Sequence, residues 1–134
     1  MFVYHTTVRL HNTDAAGLLF FADQFKFAHD AYESFMESIG YAFAVQFETA
    51  PYLLPIVHAE ADFLKPLLTG DRITVQLVAE KIGDSSFTLA YTLLRGQSEI
   101  VGTVRTVHVL IDKTDGLKRQ LLPELRQKLS QIAQ

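Results

Sequence analysis

Ala22-Asp23-Gln24-Phe25-Lys26-Phe27-Ala28-His29-Asp30-Ala31-Tyr32-Glu33-Ser34-Phe35-Met36-Glu37-Ser38-Ile39-Gly40 is the stretch that decides the fold. Phe25, Ala28, Tyr32, Phe35 and Ile39 recur at three- and four-residue steps, the period of a helix with one apolar face. Phe27, Ala31 and Met36 widen that face. The spacing therefore predicts one substantially buried helix over residues 22–39, stopped by Gly40. A helix apolar over so much of its circumference must be wrapped by something.

The rest of the chain supplies the wrapping. Before the helix, Phe2, Tyr4, Val8 and Leu10 fall on one face of a period-two pattern, with Val3, His5, Thr7 and Arg9 on the other, which predicts a strand. Residues 41–54, ending in Pro51 and Pro55, read as an irregular connection. Ile56–Leu64 reads as a strand closed by Lys65-Pro66. Ile73, Val75, Leu77 and Ala79 alternate with polar residues, and after a hairpin signal at Gly83-Asp84-Ser85 so do Phe87, Leu89, Tyr91 and Leu93. Ile100–Ile111 reads as one long strand with both faces partly apolar. Pro123 opens a short terminal helix carrying Leu125, Leu129 and Ile132 on one stripe. The order predicts an α+β fold: an antiparallel five-stranded sheet wrapped around one long central helix, with a short C-terminal helix. An edge strand of such a sheet is a natural place to pair with a second copy, so a homodimer through a continued sheet is expected.

Composition sets the limits. The 134 residues suit a single domain, 1–134, and 49% hydrophobic residues suffice for a core. A formal net charge of −3 gives no reason to expect nucleic acid or an anionic membrane as partner. No segment has the length and apolarity of a membrane span, and the N-terminal residues lack the pattern of a secretory signal, which favours a cytoplasmic protein. The absence of cysteine removes disulfides, a cysteine nucleophile and thiolate metal sites.

The candidate chemistry lies in His11-Asn12-Thr13-Asp14-Ala15-Ala16-Gly17-Leu18-Leu19-Phe20-Phe21. Asp14 is one acid among small and apolar residues between a strand and a helix. A carboxylate there is expected to be partly desolvated and close to helix-terminal amides, with Gly17 letting substrate approach the backbone. A lone Asp before a helix is more often a cap or turn residue. No Gly-x-Ser-x-Gly elbow, phosphate loop or dinucleotide fingerprint is present. His58, Glu60 and Asp62 alternate on one strand face, but three ligands on a flat strand rarely close around one ion, so a solvated polar face is the better account and no metal is expected. His5, His11 and His29 are read the same way.

Several of these elements together resemble the hotdog-fold acyl-CoA thioesterases of the 4-hydroxybenzoyl-CoA thioesterase type. They are Asp14-Ala15-Ala16-Gly17 with Leu18-Leu19-Phe20-Phe21, Ala31-Tyr32-Glu33 in the helix, Pro55-Ile56-Val57-His58-Ala59, Phe63-Leu64-Lys65-Pro66-Leu67 and Gly70-Asp71. Ala31-Tyr32-Glu33-Ser34-Phe35 and Leu54-Pro55-Ile56-Val57-His58-Ala59 most resemble the 1,4-dihydroxy-2-naphthoyl-CoA thioesterases of phylloquinone and menaquinone biosynthesis. The resemblance implies a hotdog fold and hydrolysis of an aromatic acyl-CoA without metal or redox cofactor. It implies Asp14 as nucleophile or general base and the Phe21 backbone amide as oxyanion donor. It further implies sites shared between subunits of a homodimer or homotetramer.

Gly17, Phe20, Phe25 and His58 are the expected substrate-binding residues, with His58 either structural or facing the pocket. Some short-chain relatives carry His where Phe21 stands, and its replacement fits a bulky apolar acyl group. Relatives also use a basic pair in a hairpin that here reads Gly83-Asp84-Ser85-Ser86, leaving Lys65, Lys81, Arg95 and Arg105 as candidates for the CoA phosphates. A hotdog hydratase would need an imidazole paired with the acid, and none is evident beside Asp14. A non-catalytic acyl-CoA-binding module is the alternative of another class.

Overall fold

The computed structural model describes all 134 residues, Met1–Gln134. Strand β1 (Phe2–Thr7) runs into a single 3₁₀ turn (Leu10–Asn12), the Asp14 loop and helix α1 (Asp23–Ser38). Short elements α2 (Phe43–Thr49) and β2 (Tyr52–Leu53) follow. Then come β3 (Ile56–Phe63), β4 (Arg72–Ile82), β5 (Ser86–Arg95), β6 (Glu99–Val109), β7 (Ile111–Asp112) and α3 (Pro123–Ser130). Five strands form one antiparallel sheet in the order β1-β4-β5-β6-β3, and β2 pairs with β7 in a separate ribbon.

The period-two strands put Ile73, Val75, Leu77, Phe87, Leu89, Tyr91 and Leu93 on one face, all at most 1% exposed. Against them α1 buries Phe27, Ala28, Ala31, Tyr32, Phe35 and Met36. This apolar layer is the main source of stability. Register irregularities at Ala79/Lys81, Leu93/Leu94 and Ile56/His58 add the local twist that bends a sheet around a cylinder. Gly40, at φ 90°, ends α1 in a Schellman motif: the Tyr41 amide donates to Met36 O at 2.8 Å and the Gly40 amide to Glu37 O at 3.1 Å. Leu125, Leu129 and Ile132 of the terminal segment are buried, and Ile132 O accepts the Ala79 amide.

Three expectations need correction. The connection 41–54 contains α2, whose seven residues bury none of their side chains, so no core-facing stripe announced it. The first strand stops at Thr7, and Leu10 turns outward, 77% exposed. The long strand over 100–111 breaks at Leu110, whose amide leaves the ladder for Ser85 O, and Ile111-Asp112 pair with β2. No helix is long and apolar enough to cross a membrane.

One side chain anchors the start of α1 to the sheet. Gln24 is 2% exposed, and its Nε2 donates to Asp62 O of β3 at 3.0 Å and Thr103 O of β6 at 3.1 Å. Gly102 makes room for it, since a Cβ there would lie 2.6 Å from Gln24 Oε1. Gly102→Ala is therefore expected to destabilise the fold by about 1–3 kcal/mol, read as a lowered Tm. Adding Gln24→Ala should recover part of that loss; additive losses would show that the two residues do not share one space.

Candidate active site

The Asp14 loop closes on itself. The Asp14 amide donates to Leu18 O at 2.8 Å and the Gly17 amide to Asp14 O at 3.0 Å. Asp14 Oδ1 accepts the Ala16 amide at 2.8 Å and the Leu18 amide at 3.4 Å. Gly17 sits at φ 78° with open space where a side chain would stand, so the conformation explains the glycine and leaves the backbone uncovered. The loop is pinned to the fold by the Leu19 amide donating to Leu67 O and the Phe20 amide donating to Asn12 O, both 2.8 Å. Within the chain the carboxylate is exposed rather than partly desolvated, because its neighbours Ala15, Ala16 and Gly17 are also exposed.

The start of α1 offers the complementary charge. The Asp23 amide donates to Phe20 O, the Gln24 amide to Phe21 O and the Phe25 amide to Ala22 O, so the chain is already turning helically at Phe21. The Phe21 and Ala22 amides find no acceptor in the protein, as expected for the first donors of a helix. Asp23 fixes this turn from below: it is 3% exposed, accepts Asn12 Nδ2 at 2.9 Å and lies 3.4 Å from Lys26 Nζ. Asn12 in turn accepts the Arg9 amide. Neither the Asn12–Asp23 bond nor the Gln24 anchor had a sequence signal, since periodicity counts apolar residues only.

Phe20 and Phe21 are 42% and 61% exposed, with ring centroids 4.9 Å apart, and Phe21 meets Phe63 of β3 edge-on at 6.4 Å. Phe21 lines a small cavity of 260 Å³ with Gln24, Phe63 and Lys65. Phe25 lines a larger one of 530 Å³ between α1 and the β3 side of the sheet, with Asn12, His29, Ala59, Tyr91 and Thr106. A third, of 550 Å³, shares His29 and Ile56 with it and runs on beneath Phe43 and Phe47 of α2, lined by Tyr32. Phe21, Phe25 and His29 form one four-residue stripe, so these spaces succeed one another over about 12 Å of helix.

His58 lies elsewhere. Its register partner is Val107, beside Arg105 on the sheet face turned away from α1. Its Nε2 sits 3.3 Å from Glu60 Oε1, and Glu60 also bonds Arg105. The hydrogen bond from Arg105, and then that from His58, hold the Glu60 carboxyl below the usual carboxylate range. His58 thus joins none of the α1 cavities within the chain. His11 and His29, read from sequence as solvated, both line the 530 Å³ cavity. Of the four candidate cations, Arg95 is committed to Glu99 and Asp71, and Arg105 to Glu80 and Glu60. Lys65 lies on the Phe21 cavity without an ion pair.

Behind the large cavity runs a buried polar chain. Tyr91 Oη lies 3.0 Å from Thr106 Oγ1, which lies 2.8 Å from His108 Nε2. His108 is fully buried, stacked on Phe87 and 4.4 Å from the Tyr32 ring centroid. His108 Nδ1 and Tyr32 Oη have no hydrogen-bond partner. Burial, and secondarily the field of His29, push the His108 imidazole down to about 3.

Comparison with known proteins agrees with this geometry. Residues 8–129 match the family described as the thioesterase-like superfamily. The chain is 37% identical over 128 residues to the 1,4-dihydroxy-2-naphthoyl-CoA hydrolase of Rippkaea orientalis, covering 94% of this chain and 93% of that protein. It is 37% identical over 127 residues to the protein of the same name from Gloeothece citriformis, covering 93% and 88%. The crystal structure of a 1,4-dihydroxy-2-naphthoyl-CoA thioesterase from Synechocystis superposes with a TM-score of 0.91 at 28% identity, covering 96% of this chain and 95% of that one.

His108 has a measurable consequence. The unfolded chain binds a proton on this imidazole below about pH 6.5, while the folded chain keeps it neutral down to about 3. Stability is therefore lost as pH falls, by up to about 1.4 kcal/mol per unit and about 2 kcal/mol between pH 7 and 5. Urea unfolding at pH 7, 6 and 5 should show this slope in wild type and a flatter one in His108→Gln. Identical slopes would mean that His108 is not the group responsible.

Proposed function

The chain belongs to the thioesterase-like superfamily, and on that premise we propose that it hydrolyses an aromatic acyl-CoA, 1,4-dihydroxy-2-naphthoyl-CoA, to free acid and CoA. The observation that carries the site assignment is the unpaired Phe21 amide at the first turn of α1, with the exposed Asp14 carboxylate on the loop that leads into it. One domain spanning residues 1–134 carries the reaction in the cytoplasm, as a step of phylloquinone or menaquinone biosynthesis.

The mechanism follows from charge development. As the thioester carbonyl is attacked, its oxygen gains negative charge, and a fixed N–H at a helix N-terminus stabilises that charge without reorganising. The Phe21 amide supplies it. Asp14 either adds to the carbonyl carbon or takes the proton of a water that does. On either route the C–S bond breaks and CoA leaves as thiolate and is protonated. On the first, the resulting acyl–Asp14 anhydride is then cleaved by water, which restores the carboxylate and releases the acid. On the second, water itself becomes the acid's new oxygen. Two amides already hold Asp14 Oδ1, which orients the carboxylate, and Oδ2 makes no bond within the chain. The acyl ring lies against Phe25 and His29 in the 530 Å³ cavity, one turn along α1 from Phe21. Lys65, on the Phe21 cavity and without an ion pair, is the cation proposed for the CoA phosphates.

The site is completed by a second copy. Strand β3 pairs only with β6, and its outer edge carries Ile56, Val57 and Phe63 at 40%, 60% and 51% exposure. Such an edge is unstable in water unless covered, and antiparallel pairing of β3 with itself would cover it and withdraw Asp14 from solvent. Homodimers, or tetramers built from them, are the proposed species.

Free-thiol release from a panel of aromatic and fatty acyl-CoAs tests the reading. Asp14→Asn should lower kcat at least about 100-fold. His58→Ala, on the opposite sheet face, should cost much less. Equal slow release by wild type and Asp14→Asn would leave a binding module. A sharp monomer mass at micromolar concentration would overturn the shared site.

A further inference from the structure

The polar chain Tyr91–Thr106–His108 lies at the 530 Å³ cavity and plays no part in the chemistry at Phe21. Its hydrogen count says what it can do. His108 is neutral and carries one ring proton. Nδ1 has no partner, so a proton there would be a buried donor with nothing to accept it. Assigning the proton to Nε2 gives it an acceptor in Thr106 Oγ1 at 2.8 Å. The Thr106 hydroxyl then donates to Tyr91 Oη at 3.0 Å. This leaves the phenolic hydrogen of Tyr91 without an acceptor inside the protein. Burial pushes the pKa of that phenol up from its ordinary value, so the hydrogen stays on and the group remains a donor. Both Tyr91 and Thr106 line the 530 Å³ cavity that opens one turn along α1 from Phe21.

A second donor stands beside it. Tyr32 is 2% exposed, its hydroxyl bonds to nothing, and it lines the adjoining 550 Å³ cavity. Burial of two phenols with unspent donors is costly unless something arrives to accept them. The remaining lining divides: Phe25, Phe27, Ile56 and Ala59 form an apolar wall, while His11, Asn12, Lys26, His29 and Asp30 supply polar and charged groups.

We propose that Tyr91, oriented by Thr106 and His108, and Tyr32 are specificity-determining residues that donate hydrogen bonds to oxygen substituents on the acyl ring. The inference rests on the reading of the chain as an aromatic acyl-CoA thioesterase and deepens it. The apolar wall of Phe25, Phe27, Ile56 and Ala59 accepts the ring, and the two phenols distinguish an oxygenated ring from a bare one. A site that buries donors rejects a ligand that leaves them unpaired more strongly than an apolar pocket rejects a hydroxyl.

The test compares kcat/KM for 1,4-dihydroxy-2-naphthoyl-CoA with that for 2-naphthoyl-CoA, the same ring without hydroxyls. Wild type should favour the oxygenated substrate at least about 10-fold, and Tyr91→Phe and Tyr32→Phe should each shrink that ratio about 3- to 10-fold. Thr106→Val, which removes the orienting hydroxyl, should shrink it in the same direction. Tyr32→Phe deletes a hydroxyl that bonds to nothing, so its Tm should be equal or higher, and a change in its ratio is not a folding defect. No wild-type preference, or a ratio that no variant moves, would overturn the inference and leave the thioesterase reading standing. Release from fatty acyl-CoA only, or from nothing, would overturn both.

Discussion

The anchor of α1 through Gln24 is the interaction on which the candidate site depends. A helix packed on a sheet by apolar contacts alone can slide along its axis, because such contacts are many and individually weak. Two hydrogen bonds from one buried amide to carbonyls on β3 and β6 fix both its height and its rotation. Their position matters. Gln24 lies one turn beyond Phe21, so the tie is made where the free amides project, and Asn12 and Asp23 brace the other side of the same turn. The first donors of α1 are thereby held still over the edge strand, which is the condition for electrostatic stabilisation of a developing oxyanion.

The same arrangement makes the single chain look unfinished. Its carboxylate is exposed, the outer edge of β3 is unpaired with Ile56, Val57 and Phe63 exposed on that strand, and Ile56 and Ala59 of the same strand line the 530 Å³ cavity. The unpaired edge and the exposed apolar groups are costs in isolation, whereas the exposed carboxylate is solvated. The proposed pairing of β3 with a second copy would cover that edge and those apolar groups in one step.

Most of the fold was legible because it rests on periodicity. The helix over 22–39 and the alternating strands of β4 and β5 announce themselves, since burial imposes the period. What was missed lacks a period. Helix α2 buries no side chain, and Leu110 breaks a β-rich run through a turn bond to Ser85 that no propensity encodes. In the candidate site, Asp14 and Gly17 are proposed from local loop chemistry, and the Phe21 amide from the family resemblance. His58 could be placed on a face only once the irregularity at Val57 had set its register. Gln24, Asp23 and His108 escaped because each is a polar residue inside an apolar pattern: Asp23 and Gln24 are made sensible by Asn12 and Thr103, 11 and 79 residues away, and His108 by its burial between Phe87 and Tyr32.

The central claim is that the Phe21 amide receives the charge of the attacked carbonyl. It is tested most directly by NMR of ¹⁵N-labelled protein titrated with a CoA ketone in which a methylene separates the aroyl carbonyl from sulfur. The account predicts that the Phe21 amide proton moves strongly downfield, more than any other backbone amide, on saturation. A Phe21 resonance that stays in place while the analogue binds elsewhere would contradict it.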